Sequence, residues 1–189
     1  MNLRYLGAGA PWFMALFGRD TLITAWESLI TGTQLGLEVL RALASRQGRK
    51  VDPSTGEEPG KILHEMRTGL ASVFNVRPGV PYYGTADATP LFVMLLGELH
   101  RWGAPESEIR ALLPAARAAL AWCTEYGDVD GDGFVEYAGD ENGLANQGWK
   151  DSGDSMVHAD GTLARGPIAL AEVQGYVYAA FQAMAELEE

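Results

Sequence analysis

Apolar residues recur at helical spacing in several stretches of the chain. In the first stretch they follow Gly18-Arg19-Asp20-Thr21 with a period of three to four: Leu22, Ile23, Trp26, Leu29 and Ile30. This pattern predicts a helix, with Asp20 or Thr21 as its N-cap. Similar patterns predict helices over residues 34–47, 115–126 and 168–187. Few stretches alternate as strands do, so we expect an all-α protein built from paired helices.

The clearest helix start is Asp87-Ala88-Thr89-Pro90. We predict Thr89 as the N-cap and Pro90 as the first helical residue, because a helix needs no N–H donor there. Residues 91–96 are all apolar, and a helix without a polar side is buried on every side. This helix is therefore expected at the centre of the molecule. Residues 61–86 lack periodicity and indicate at most a short hairpin.

Composition narrows the classes of function. The chain has 14 basic and 25 acidic residues, a net charge of −11, and its basic residues are scattered, so we expect no nucleic-acid partner. The single cysteine, Cys123, lies on an apolar helical side and is interpreted as a buried, inert thiol. No apolar run reaches the roughly 18 residues of a membrane span, and the N-terminus lacks a signal-peptide core. These features predict a cytoplasmic protein without a membrane partner.

Residues 146–160 contain the densest group of reactive side chains in the chain. Three carboxylates, a lysine, a tryptophan and two side-chain amides lie there between glycines. If Asp151 and Asp154 both face a cleft, one ionised carboxylate would keep a proton on the other, which suits a general acid. Trp149 offers a flat apolar surface for a sugar ring. The alternative is a solvated, glycine-rich loop whose aspartates cap turns.

Acidic residues also lie at or before the starts of predicted helices: Asp20, which follows Arg19, and Asp87, Asp151, Asp154 and Glu172. If these helices run parallel, their N-terminal ends converge on one rim, where the helix dipole favours anions. A rim of carboxylates, an arginine and aromatic rings suits a carbohydrate. Taken singly, Asp20 and Asp87 are better explained as helix caps.

Residues 128–136, Asp-Val-Asp-Gly-Asp-Gly-Phe-Val-Glu, have the oxygen spacing of the first half of a calcium-binding loop. Asp128, Asp130 and Asp132 would be the metal ligands, and Gly133 stands where such loops turn sharply. The twelfth position is Gly139, so the usual bidentate glutamate is missing. We therefore favour a tight loop with solvated aspartates and keep calcium as the alternative.

Five motifs follow one another in an order that is typical of one enzyme family. They are Trp12-Phe13 with Phe17-Gly18-Arg19-Asp20-Thr21, then Gly60-Lys61-Ile62-Leu63-His64-Glu65-Met66-Arg67, Tyr83-Gly84-Thr85-Ala86-Asp87-Ala88-Thr89-Pro90, Gly148-Trp149-Lys150-Asp151-Ser152 and Ala171-Glu172-Val173-Gln174-Gly175-Tyr176. Together they resemble the glucosidase domain of bacterial glycogen-debranching proteins of amylo-α-1,6-glucosidase type. More distantly, they resemble glucoamylases and other six-hairpin glycosidases. Each motif alone is weak, and their order across nearly the whole chain makes the resemblance specific.

The resemblance implies a fold and a reaction. The fold would be an (α/α)6 toroid of helical hairpins, and the reaction an inverting hydrolysis of an α-glucosidic bond at one end of it. Arg19 and Asp20 would grip the sugar in the cleaved subsite, since a fork of donors beside a carboxylate can bracket neighbouring hydroxyls. The general acid of such families closely follows a tryptophan, which favours Asp151, with Asp154 as the second candidate. The implied substrate-binding residues are Trp12, Arg19, Asp20, Arg67, Tyr83, Asp87, Trp149, Lys150, Glu172 and Gln174.

Residues 1–189 would form only part of such a catalytic domain. The sequence predicts fewer long helices than the toroid requires, and the family's catalytic base lies beyond residue 189. An inverting enzyme needs this second carboxylate roughly 6.5 to 9.5 Å from the acid, and Glu172, the one substitute within the chain, resembles a substrate-contacting residue instead. We therefore expect the chain alone to be inactive and to self-associate through an exposed half-barrel surface.

Two other functions stay open at this point. One is a related toroid that acts on a trehalose-like or mannosyl substrate, and the other is a helical fragment that binds sugar without cleaving it. The expected partner in the leading interpretation is an α-glucan or oligosaccharide. No cofactor is expected apart from the calcium alternative.

Overall fold

The computed structural model describes residues 5–11, 13–67, 79–139 and 143–189. The strands among these residues are β1 (Gly7–Gly9), β2 (Phe13–Phe17) and β3 (Glu65–Met66). The helices are α1 (Gly18–Glu27), α2 (Gln34–Ala44), α3 (Ala88–Arg101), α4 (Glu106–Glu125) and α5 (Ala171–Glu188). A 3-10 turn, Ser28–Thr31, follows α1.

A small antiparallel sheet accompanies the helices, in the order β1-β2-β3. Gly7 pairs with Leu16 across the first ladder, and Phe17 pairs with Glu65 across the second. The expectation of an all-α toroid of helical hairpins is therefore wrong, because the chain combines five helices with this sheet in its described part. The run Phe13–Phe17 is too short to show a helical period, and it turns its last three residues into the core.

Helix α3 lies at the centre of the molecule, as its apolar sequence predicts. It packs against α1, α2, α4 and α5. Ten of its residues are buried, including Phe92 and Leu96. Each fully buried side chain of this size contributes about 1.5–3 kcal/mol, so α3 supplies much of the apolar burial that orients the surrounding helices.

The helix starts differ from the predicted caps. Helix α1 has Phe17 at its N-cap and α3 has Asp87, and neither makes a side-chain capping bond. Asp20 and Thr21 lie inside α1, so neither caps it. Thr89 also lies inside its helix, where its Oγ1 accepts a hydrogen bond from the N–H of Ile62 at 3.0 Å. The Thr89 side chain is thus used for a contact between segments.

Helix α4 is longer than predicted and continues through Pro114. A proline inside a helix costs about 3 kcal/mol. Buried residues lie on both sides of it, Ile109 and Leu112 before and Ala116 and Leu120 after. Their burial offsets the lost backbone hydrogen bond, so tertiary packing overrides the local stop signal.

A second, smaller apolar cluster joins the end of α4, residues 135–137 and the start of α5. It contains Cys123, whose thiol is free and buried, as predicted. Burial raises the pKa of Cys123 to about 12, which keeps the thiol protonated and unreactive. Among the described helices, none combines the length and the apolar character that crossing a membrane requires.

Candidate active site

Arg19, the second residue of α1, joins three segments of the chain. Its Nη1 donates to Asp87 Oδ2 at 2.9 Å and to the carbonyl oxygen of Gly148 at 2.8 Å. Its Nη2 donates to Asp151 Oδ2 at 3.0 Å, across 132 positions in the sequence. The Arg19 guanidinium also lies over the ring of Trp149, 5.6 Å from its centroid. We call these five residues the Arg19 cluster.

The sheet fixes the position of Arg19. Strand β2 ends at Phe17 and α1 begins at Gly18, so no loop separates them. The N–H of Gly18 donates to the carbonyl oxygen of His64 at 2.8 Å, next to β3. A Cβ on Gly18 would overlap the carbonyl oxygen of Leu63. Only glycine allows this close approach, which sets the direction in which α1, and Arg19 with it, leaves the sheet.

Asp87 is the buried partner of Arg19, and both of its carboxylate oxygens are satisfied. Oδ1 accepts from Thr85 Oγ1 at 2.6 Å, and Oδ2 accepts from Arg19. Burial, the largest single effect, acts to lower the pKa of Arg19, but Asp87, Asp20 and Asp151 together raise it by more, so the net pKa is raised. Arg19 therefore stays a permanent cation, although the residue is only 7% exposed.

Asn146 folds the loop that brings Asp151 to Arg19. Its Nδ2 donates to the carbonyl oxygen of Ser152 at 2.6 Å and to Ser155 Oγ at 3.1 Å. Its Oδ1 accepts from the hydroxyl of Tyr137 at 2.9 Å. The carbonyl oxygen of Gln147 accepts from the N–H of Ala86, close to Asp87. The side chain of Asn146 and the backbone of Gln147 thus hold the loop, while the side chains of Trp149 and Asp151 stay partly exposed.

The side chains of the loop differ in how they are held. Asp151 is bonded to Arg19, and its side chain is still 40% exposed. Trp149 is 60% exposed, so one face of its ring is accessible. Asp154 and Lys150 are also exposed, and neither side chain makes a hydrogen bond or ion pair with a residue that the structure describes. Of the two candidate acids, Asp151 is the one that belongs to the Arg19 cluster.

Three further residues lie near the Arg19 cluster. Glu172, in the first turn of α5, has its Oε1 3.6 Å from where a Cβ on Gly148 would stand. The pKa of Tyr176, one turn later, is raised by burial and by Asp87 and Glu172, against the effect of Arg19. The third residue is Asp20, which follows Arg19 and whose charge acts to raise the pKa of Arg19. Tyr176 was not among the predicted site residues, although its spacing from Glu172 puts both on one side of α5.

His64 is a second neighbour of the Arg19 cluster, since its charge interacts with those of Arg19, Asp87 and Asp151. It is buried, and its pKa is lowered by burial and by Arg19, while Glu65, Asp87 and Asp151 act in the opposite direction. The imidazole is therefore neutral at physiological pH. Its proximity follows from the bond between Gly18 and the His64 backbone, which no sequence pattern reveals.

Several predicted substrate-binding residues are used elsewhere. Gln174 accepts from the N–H of Val135 at 2.9 Å and donates to its carbonyl oxygen at 2.7 Å, so its amide anchors a neighbouring segment. Tyr83 is buried and donates to the carbonyl oxygen of Arg46 at 2.7 Å, which corrects the expectation of a stacking surface. Arg67 donates to Glu65 at 2.8 Å and covers the ring of Phe17. Trp12 lies outside the described residues.

The predicted metal ligands are only partly grouped. One carboxylate oxygen each from Asp128, Asp130 and Glu136 lie within 4.8 Å of one another. Asp132 does not belong to this group; its Oδ1 accepts from the N–H of Phe134 at 2.9 Å, which corrects its expected role. The group includes Glu136, which was not among the predicted metal ligands.

A groove elsewhere on the molecule has a volume of about 600 Å³ and is lined by residues 5–6, 31–32, 34–35 and 38. Its lining shares no residue with the Arg19 cluster. Gln34 donates to Glu38 within it at 2.8 Å, so part of its polar surface is already paired. The groove therefore adds nothing to the candidate site.

Neither the comparison with protein-family models nor the comparison with curated proteins finds a match for this chain. A function must therefore be argued from the geometry of the Arg19 cluster and from the motifs that place its residues in the sequence.

Proposed function

We propose that this chain carries the sugar-binding and acid-bearing part of a glycoside hydrolase that cleaves α-glucosidic bonds with inversion, with the 1,6-linked stubs of glycogen as the favoured substrate. The observation that supports it best is the hydrogen bond between Arg19 and Asp151. These residues come from two separate motifs of the resemblance, and Arg19 also lies over the exposed ring of Trp149.

The Arg19 cluster has the groups that a sugar ring requires. Three of the five N–H groups of Arg19 are used in its bonds to Asp87, Gly148 and Asp151. The remaining donors, with the half-exposed carboxylate of Asp151, can bracket neighbouring hydroxyls. The exposed face of Trp149 suits the C–H face of the same ring. Asp20 and Glu172 border the cluster and supply further acceptors.

The chemical step needs a proton on the acid. In the proposal, a sugar hydroxyl accepts from Arg19 Nη2 in place of Asp151, which frees the carboxyl group of Asp151 to face the glycosidic oxygen. Asp151 gives its proton to the glycosidic oxygen as the bond from that oxygen to the anomeric carbon breaks, and water attacks the opposite face of this carbon. A second carboxylate accepts the proton of this water.

We assign Glu172 to substrate contact and assign the base to no residue of this chain. The 189-residue chain alone is then expected to bind sugar and to release no glucose. Release of glucose by that chain from an α-1,6-linked or α-1,4-linked oligosaccharide would contradict this part of the proposal. Loss of the release in Glu172→Gln would then assign the base to Glu172.

Binding without turnover is the second candidate function. The observation that favours it is the ion pair itself, because Asp151 bonded to Arg19 forms a set of donors and acceptors that can bind hydroxyls without any proton transfer. In that case Asp151 would be an acceptor for sugar hydroxyls and nothing more. The two functions share the same binding residues and differ only in the chemistry of Asp151.

Glucose release by a complete enzyme, in which this chain is joined to a segment that supplies the base, separates the two functions. Asp151→Asn is expected to lower kcat at least 100-fold, the scale of general acid catalysis, which is about 10²–10⁴. The control is Asp154→Asn, the same change at an exposed aspartate of the same loop that is not bonded to Arg19. This variant should keep kcat within about threefold. Near-normal kcat in Asp151→Asn would contradict the acid assignment, and a loss confined to Asp154→Asn would transfer the role to Asp154.

We also propose a reducing, cytoplasmic setting. Its support is Cys123, a free thiol that burial keeps protonated and inert. Such a thiol is typical of proteins that fold without disulfides.

A further inference from the structure

The loop of residues 128–136 follows α4 and wraps around its own aspartates. Asp128 accepts from the N–H of Gly131 at 2.7 Å and from the N–H of Gly133 at 3.0 Å. Both glycines have positive φ, 82° and 93°. These bonds shape a compact turn, and by themselves they are also what a solvated loop would form.

Glu136 distinguishes this loop from a solvated one. The residue is only 7% exposed, and its Oε2 is buried without a hydrogen-bond partner among the described residues. One of its carboxylate oxygens lies within 4.8 Å of a carboxylate oxygen of Asp128 and of Asp130. In the part of the chain that the structure describes, no lysine or arginine forms an ion pair with any of the three. Three carboxylates thus lie close together, and one of them, Glu136, is buried with an oxygen that has no partner among the described residues.

Such an arrangement is unfavourable unless a cation joins it. A buried, unpaired carboxylate loses its hydration without compensation, and like charges nearby add repulsion. A calcium ion binds oxygens at 2.3–2.6 Å, so two oxygens on one ion can be up to about 5 Å apart. The observed spacing lies within this limit. Magnesium requires shorter bonds in stricter octahedral geometry, so calcium suits the group better.

We propose that Asp128, Asp130 and Glu136 bind a calcium ion, with Glu136 in place of the glutamate that the twelfth position lacks. The proposal does not depend on the proposed hydrolase function. The ion would also hold the segment that follows Glu136, where Tyr137 donates to Asn146. Through this hydrogen bond, the ion would also stabilise the loop that carries Asp151, although it does not touch that loop.

The test is the melting temperature and calorimetric titration of the full chain, first stripped with EGTA. Calcium at about 100 times its Kd should raise Tm by about 5 °C or more, and magnesium at the same concentration should raise it less. Glu136→Gln should weaken calcium binding at least tenfold, and in EGTA it should melt no lower than the unaltered chain, because it removes an unpaired buried charge.

Asp132→Asn is the matched control, since it changes the charge of the same loop outside the group, and it should keep the calcium response. The proposal is overturned if calcium at millimolar concentration neither binds nor raises Tm, or if Glu136→Gln and Asp132→Asn respond to calcium alike. Sugar binding is not part of the readout, so failure here leaves the proposed hydrolase function untouched.

Discussion

Arg19 lies in a position that helix electrostatics disfavours, since the first turn of α1 repels a cation. Its burial is tolerated because Asp87 and Asp151 both accept from it. Removing one partner of such a buried pair costs about 3–5 kcal/mol, because the remaining charge is left unpaired. Substitutions of Arg19 therefore change stability and binding together. Asp151 and Trp149, which are more exposed, allow the two effects to be separated.

His64 provides a prediction at the scale of one residue. Its pKa is lowered in the folded protein from the ordinary value of about 6.5, mainly by burial and by Arg19. The unfolded chain then binds the proton more readily. The contribution of His64 to stability is full above pH 6.5 and declines as the pH falls below it, by up to about 1.4 kcal/mol per pH unit.

The free energy of unfolding, measured from pH 5 to pH 8 in urea, tests this. His64→Gln should remove most of the decline, and the exposed His158→Gln should keep it. An unchanged slope in His64→Gln would show that the imidazole is not held neutral.

At the scale of elements, the Arg19 cluster is formed where α1 and α3 begin, and the start of α5 lies beside it. Arg19 is the second residue of α1, Asp87 precedes α3, and Glu172 is the second residue of α5. The bond from Arg19 to Asp87 joins the starts of α1 and α3. The sheet, which was not expected, provides the fixed base from which α1 departs.

Gly18 tests the role of this junction. Gly18→Ala would push a Cβ into the carbonyl oxygen of Leu63, so we expect a loss of about 1–3 kcal/mol and weaker sugar binding through displacement of Arg19. Gly175→Ala is the matched control, because nothing lies within 4 Å of its Cβ position in α5. There the better helix propensity of alanine should stabilise the protein by up to about 1 kcal/mol. Chemical denaturation of both variants measures the difference, and equal effects would contradict the account of the junction.

The helices could be predicted from the sequence because each of them has several turns of apolar periodicity. Strands β1 and β3 have three and two residues, and segments this short contain too little pattern to recognise. The start of α4 was missed because Pro114 was interpreted as a boundary, whereas packing on both sides of it maintains the helix. In each case a tertiary contact outweighs the local signal.

The candidate site, like the fold, could be predicted only in part. The stretch around Asp151 could be recognised because reactive side chains are dense there. Gln174 and Tyr83 have the same chemistry as binding residues, and only their contacts reveal that one anchors Val135 and the other lies in the core. Glu136 illustrates the reverse case, since its importance comes from burial without a partner, which a sequence does not display.

At the scale of the whole molecule, segments from both ends of the chain meet around one cation. The chain is acidic, with a net charge of −11, and the two carboxylates that bind Arg19 outnumber it. This balance suits a neutral ligand rich in hydroxyl donors better than an anionic one. The proposed ligand, a glucose unit of an oligosaccharide, meets that requirement.

Calorimetric titration of the 189-residue chain with acarbose tests the central claim most directly. The account predicts binding that Trp149→Ala weakens about tenfold, a loss of about 1.4 kcal/mol, because the stacking face beside Arg19 is removed. Trp102→Ala, at a tryptophan that is 53% exposed at the end of α3, should leave the affinity unchanged. Absence of binding, or equal weakening by the two substitutions, would contradict a sugar site at the Arg19 cluster.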